Sequence, residues 1–142
     1  MANDKIKWLG KPEERILSIR KFRKYIDTIP FHQAVKFTQE NWINCPRINN
    51  LQFDITEVDQ WPTPWELFGN SVFCQNSQVL GAFYTLILSK HIDVHTIELI
   101  IVDDIINGVK GAIVLDKSPL KLIQGTPLKT ISISDLTNKL GE

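Results

Sequence analysis

At 142 residues, 43% apolar and 23% charged, the chain has the size and composition of one globular domain spanning 1–142, long enough to bury ~68–70% of its unfolded surface. Its 16 basic and 16 acidic residues give a formal net charge of zero, which argues against a dedicated nucleic-acid binder. No run reaches the ~18 apolar residues of a membrane span and no apolar segment follows the N-terminal methionine. Two cysteines, Cys45 and Cys74, make no disulfide framework, so a cytoplasmic chain with reduced thiols is expected.

Residues 1–11 read as an extended arm anchored by Trp8. Pro12, Glu13 and Glu14 open a helix, because proline suits the first turn and acids complement the dipole. Ile16, Leu17, Ile19, Phe22, Ile26 and Ile29 give it an apolar stripe, and the helix spans 12–28 before Pro30. Half of the basic residues fall before residue 25. This basic helix is a candidate docking surface for an acidic protein partner, weighed against a solvated face interrupted by Glu13, Glu14 and Asp27. A second helix is expected over 31–43, stopped by Cys45 and Pro46.

Residues 46–73 read mostly as loop, with a short strand over 51–55; a loop of that length in a small domain points to function. The third helix covers 74–89, with Val79, Leu80, Phe83, Leu86 and Ile87 at helical spacing and Gly81 and Ala82 permitting close packing. The period then changes. Residues 93–103 form a β-branched strand, Asn107 and Gly108 signal a hairpin, and 109–115 form the return strand. Leu120–Ile123 and Thr130–Ser134 extend the sheet, and 135–140 add a final helical turn. The class is α+β: N-terminal helices, a central helix opening at Cys74 and a small antiparallel sheet. An exposed edge of that sheet is a second candidate docking surface.

The segment Trp61-Pro-Thr-Pro-Trp65-Glu66 followed by Cys74 at a helix start resembles the W-x-T-P-x-E segment and catalytic cysteine of the bacterial transglutaminase-like cysteine proteinases. The resemblance covers about residues 31–123. It implies a papain-like fold in which the cysteine opens the central helix and a His and an Asp follow on neighbouring strands. Two registers carry it over. In the first, Cys74, His95 and Asp116 form the triad, and the 21-residue spacing from His95 to Asp116 suits adjacent antiparallel strands. In the second, Gly111 takes the histidine position and no base remains, since no His follows Gly111. The family places acidic residues beside its cysteine, whereas this chain has Val72, Phe73, Gln75 and Asn76.

Cys74 has two readings. A helix N-terminus favours the thiolate, while apolar burial makes it a small inert hydrophobe. Trp61, Trp65 and Glu66 are candidate binding residues of a groove, against the alternative that the tryptophans lock the loop by packing. His32 and His91 read as structural. The histidines and cysteines show no zinc spacing, and there is no phosphate loop or G-x-S-x-G, so neither metal nor cofactor is expected. The leading expectation is a degenerate member acting as a binding or assembly module for a protein partner. For that role the resemblance implies a phage structural component in a bacterial host's cytoplasm or in the virion. The alternative is an active cysteine peptidase or amidase working through a Cys74 thioester.

Overall fold

In the computed structural model, which describes residues 4–119 and 124–140, the first apolar stripe forms helix α1 (Pro12–Ile26). Ile19, Phe22 and Ile26 turn inward, while Arg20, Lys21 and Lys24 stay exposed. Pro30 is the N-cap of α2 (Phe31–Ile43), which buries Ala34, Val35, Thr38 and Trp42. The arm before α1 has two anchors rather than one. Ile6 is buried beside Trp8, and Asn41 holds the arm by accepting from the Ile6 N–H (2.7 Å) and donating to the Asp4 carbonyl (3.0 Å).

The segment expected to be loop contains α3 (Pro64–Phe68). Thr63 Oγ1 accepts from the Glu66 N–H, and Glu66 Oε1 accepts from the Thr63 N–H. This is a capping box with proline at the first helical position. The expected strand at 51–55 is absent. Leu51 faces solvent and Ile55 the core, and the Asp54 carboxylate draws the chain into a turn by accepting from the Thr56 N–H and hydroxyl.

Helix α4 (Gln75–Ile87) is the centre of the molecule. Every residue from Leu80 to Ile87 is buried, as befits a helix that is apolar on nearly all sides. It packs antiparallel to α2. Near α4's start, Gln78 donates to the Trp42 carbonyl (2.8 Å), while Phe31, at the start of α2, stacks on His95 beyond α4's end.

The sheet covers the other side of α4. Among the described residues it has four antiparallel strands: β1 (Ile97–Asp104), β2 (Gly108–Leu115), β3 (Ser118–Pro119) and β4 (Thr126–Ile131), in the order β3-β2-β1-β4. Ile97, Leu99 and Ile101 are buried on the inner face of β1. The strand begins later than its composition suggests, because Lys90–Asp93 form a 3-10 turn. The β1–β2 loop has three residues, not two: Asp104 pairs with Gly108, and Gly108 takes φ +84°. The expected strand at 130–134 is shifted to β4, followed by a 3-10 turn (Ile133–Leu136) and α5 (Thr137–Leu140). The strand expected at Leu120–Ile123 lies outside the described residues. One hydrophobic cluster runs from Ile6 to Leu136. Among the described residues, no helix is long and apolar enough to cross a membrane.

Asp104 organises the hairpin tip. It accepts from the Asn107 side chain (2.9 Å), the Ile106 N–H (3.0 Å) and Lys110 Nζ (3.2 Å). These bonds, the Asn107 side chain first, hold its pKa down to about 2. The folded value lies below the unfolded value of about 3.9. The carboxylate's contribution is therefore fully present above about pH 4 and is lost as pH falls toward 2. In urea titrations wild type should exceed Asp104→Asn in midpoint at pH 6. That gap should narrow steadily between pH 4 and 2; a constant gap would contradict this role.

Candidate functional site

The apolar run after residue 74 places Cys74 as the N-cap of α4. Its thiol has no solvent exposure and sits in a small polar network. The Ser77 hydroxyl donates to Gln52 Oε1 (2.7 Å), which also accepts from the Cys74 N–H (3.2 Å). The Ser77 N–H donates to Cys74 Sγ (3.4 Å), the usual capping contact, and Sγ lies 3.3 Å from the Ser77 hydroxyl. Burial pushes the Cys74 thiol up. The contact with the Ser77 hydroxyl, then hydrogen bonds from the Gln52, Ser77 and Asn76 backbone, outweigh it and leave the pKa below its ordinary value. Cys45 has fewer such donors, and burial raises it to about 11.

His95 and Asp116 do meet. His95 Nδ1 is 2.8 Å from Asp116 Oδ2, and the Thr96 N–H donates to Asp116 Oδ1 (2.9 Å). The His95 bond, then that of Thr96, draws the Asp116 pKa down. The His95 ring stacks on Phe31 at 3.8 Å with 9° between planes. Asp116 and Lys117 take positive φ (48° and 68°), the backbone of a type I′ turn between β2 and β3.

The pair is at the wrong end of α4 for a triad. His95 follows the 3-10 turn that succeeds α4, and its N–H donates to the His91 carbonyl (2.8 Å). Cys74 precedes α4, whose 13 residues span about 20 Å. The structure thus joins His95 to Asp116 and separates both from Cys74. The residue on β2 that faces the first half of α4 is Gly111. A Cβ there would come within 3.1 Å of Ile55, 3.3 Å of Leu99 and 3.3 Å of Val79. Those three neighbours are apolar side chains, and glycine itself supplies no base. His91 contacts the Ile26 carbonyl through Nε2 (2.8 Å) and His32 is exposed.

The Trp-Pro segment performs two tasks. Trp61 is buried and its indole N–H donates to the Ile55 carbonyl (3.0 Å). Tyr84 of α4 donates its hydroxyl to the Pro62 carbonyl (2.7 Å); burial, then Glu66, raises its pKa. Trp65 is 46% exposed and lies 5.0 Å beneath the Arg23 guanidinium. With the loop locked in this way, its backbone walls a cleft of about 500 Å³. Thr63, Glu66, Asn70, Gln52, Ser77 and Lys139 are among its lining residues, and of these Gln52 and Ser77 bond to Cys74. Sequence reading had not singled out Gln52, Ser77, Asn70 or Lys139. The Cys-x-x-Ser spacing was the one available signal, since it fits a cap whose side chain meets the third residue of the helix. Among the described residues no three His, Cys, Asp or Glu side chains group as metal ligands would.

Compared with known proteins, the chain matches no family model, no curated protein and no solved structure.

The capping geometry makes a prediction. Serine is the better N-cap and nearly isosteric, so Cys74→Ser should stay within ~1.5 kcal/mol of wild type. Cys74→Ala, which leaves the Ser77 N–H unpaired, should lose about 1 kcal/mol. Denaturant midpoints of both variants check this, and a larger loss for serine than for alanine would contradict the capping role.

Proposed function

We propose that this chain is a non-catalytic member of the transglutaminase-like papain architecture, a binding or assembly module whose cleft takes a protein ligand. Supporting this are the order of helices before sheet, Cys74 at the head of the buried α4, and the W-x-T-P-x-E segment walling the cleft. The observation that carries the loss of catalysis is the approximately 20 Å of helix between the Cys74 thiol and the His95–Asp116 pair. Cysteine acyl transfer needs a base within hydrogen-bond reach of the sulfur. The exposed Arg20, Lys21 and Lys24 of α1 form a second surface, suited to an acidic stretch of the same partner. The lowered Cys74 pKa favours a second reading, an active thiol, because thiolate is the nucleophilic form.

The two readings separate by alkylation. In the binding module Cys74 reacts only through opening of the fold, so iodoacetamide labelling, mapped by peptide mass spectrometry, is slow in native buffer and fast in urea. His95→Ala then leaves the Cys74 pH–rate profile unchanged. Rapid native labelling whose apparent pKa rises in His95→Ala would instead establish a thiol–imidazole couple and end the non-catalytic reading.

A further inference from the structure

The cleft contains an arrangement that its ligand chemistry can be read from. Pro62 and Pro64 lie three residues after Asp59 and Trp61. Having no N–H, they cannot close turns onto those two carbonyls. Among the described residues the donor that reaches both is the Lys139 ammonium, at 3.2 Å from the Asp59 carbonyl and 3.0 Å from the Trp61 carbonyl. Asp59 and Glu66 also line the cleft, and among the described residues neither carboxylate has a cation within ion-pair distance. Glu66 Oε1 is committed to the Thr63 N–H, but its charge remains; the capping bonds from Thr63, first, and the field of Lys139 hold its pKa below the ordinary value. A cleft with two carbonyls that, among the described residues, only the Lys139 ammonium reaches, and two acidic residues without an ion-pair partner among those residues, is complementary to an ammonium group.

We propose that this cleft binds primary ammonium groups, the lysine side chains of a partner protein, and that Lys139 fills it in cis until the partner displaces it. The proposal rests on the cleft being the binding surface and adds the ligand class and its control. A tethered Lys139 competes as an intramolecular ligand, at an effective concentration in the millimolar range. Removing it should expose the site without dismantling it, because Lys139 is only half-buried and the core residue of that segment is Leu136.

The test is an amide ¹H–¹⁵N NMR titration with Nα-acetyl-lysine methylamide, using its norleucine analogue as the uncharged isostere, on wild type and Lys139→Met. In Lys139→Met the lysine probe should give saturable shifts at Gln60, Thr63 and Asn70. Affinity in wild type should be about tenfold weaker, and the norleucine probe should give no saturable shift. Adding Glu66→Gln keeps the capping box, since glutamine serves at that position. It should weaken binding about threefold through the lost charge. Equal binding of norleucine and lysine would overturn the ammonium assignment while leaving the cleft a binding surface. Equal affinities in wild type and Lys139→Met would overturn the cis occupancy. No shift with either probe in Lys139→Met would overturn the proposal and the cleft reading together. A melting curve verifies that the variant is folded, and Lys139→Gln replaces it if it is not.

Discussion

Gly81→Ala should destabilise the protein by about 3 kcal/mol, although alanine is the better helix former by about 1 kcal/mol. Gly81 lies in the buried half of α4 with the Trp42 indole laid directly on its Cα. A Cβ there would collide with Cζ3 and Cη2 of that ring and come within 2.7 Å of Cε3. The ring has nowhere to go. Trp42 is 1% exposed, its Nε1–H donates to Thr85 Oγ1 (3.0 Å), and that hydroxyl donates to the Gly81 carbonyl (2.7 Å). The Trp8, Phe73 and Phe68 rings surround it with centroids at 4.8, 5.4 and 6.0 Å. Overpacking in such a site displaces several rings at once.

Trp42→Phe removes the ring atoms that Cβ would strike. In that background Gly81→Ala should cost at least 1 kcal/mol less than it does alone, a coupling expected of residues in direct contact. Urea unfolding of the four species of this cycle measures it. A Gly81→Ala protein as stable as wild type would mean that Trp42 has room to move, and the account of the α2–α4 contact would be wrong.

The same contact illustrates what the sequence made legible. Gly81 and Ala82 within an apolar helical period announce close approach, and the periodicity of α1, α2 and α4 needs no tertiary information. The 21-residue spacing of His95 and Asp116 likewise identified a real contact, because it follows from the register of two adjacent antiparallel strands. Where that contact sits along α4 depends on the path between residues 88 and 96. Four of those residues are consumed by a 3-10 turn that leaves His95 near the helix end. Returning to Cys74 across about 20 Å would take six or more extended residues. Thr63 and Glu66 were read only as part of the W-x-T-P-x-E segment within a loop, because the five-residue helix they cap is too short to show a period. The strand expected at 51–55 fails for the opposite reason: Ile55 alone is buried there, and one inward residue sets no alternation. Gln52, Ser77 and Lys139 come from three distant segments, and only the folded chain brings them to one cleft.

Trp61→Ala should cost about 3–5 kcal/mol, the range for removing a fully buried large aromatic, whereas Trp65→Ala should cost about 1–2 kcal/mol despite lying four residues away in the same motif. Trp61 is 2% exposed and its N–H satisfies the Ile55 carbonyl, which alanine would leave buried and unpaired. Trp65 is 46% exposed, and its loss removes partial packing and the contact with Arg23 at 5.0 Å, worth about 0.5–1 kcal/mol. Function should separate along the same line. Trp61 holds the backbone whose 59 and 61 carbonyls line the cleft, so releasing the ring releases those acceptors, and the lysine probe should lose saturable binding in Trp61→Ala even at temperatures where the variant stays folded. Trp65→Ala should keep it. Denaturant midpoints and the NMR titration read the two effects independently. If Trp61→Ala remained as stable as Trp65→Ala, the loop would not be locked by its first tryptophan. If it bound the probe normally, the cleft would owe its shape to Tyr84 and the capping box rather than to Trp61.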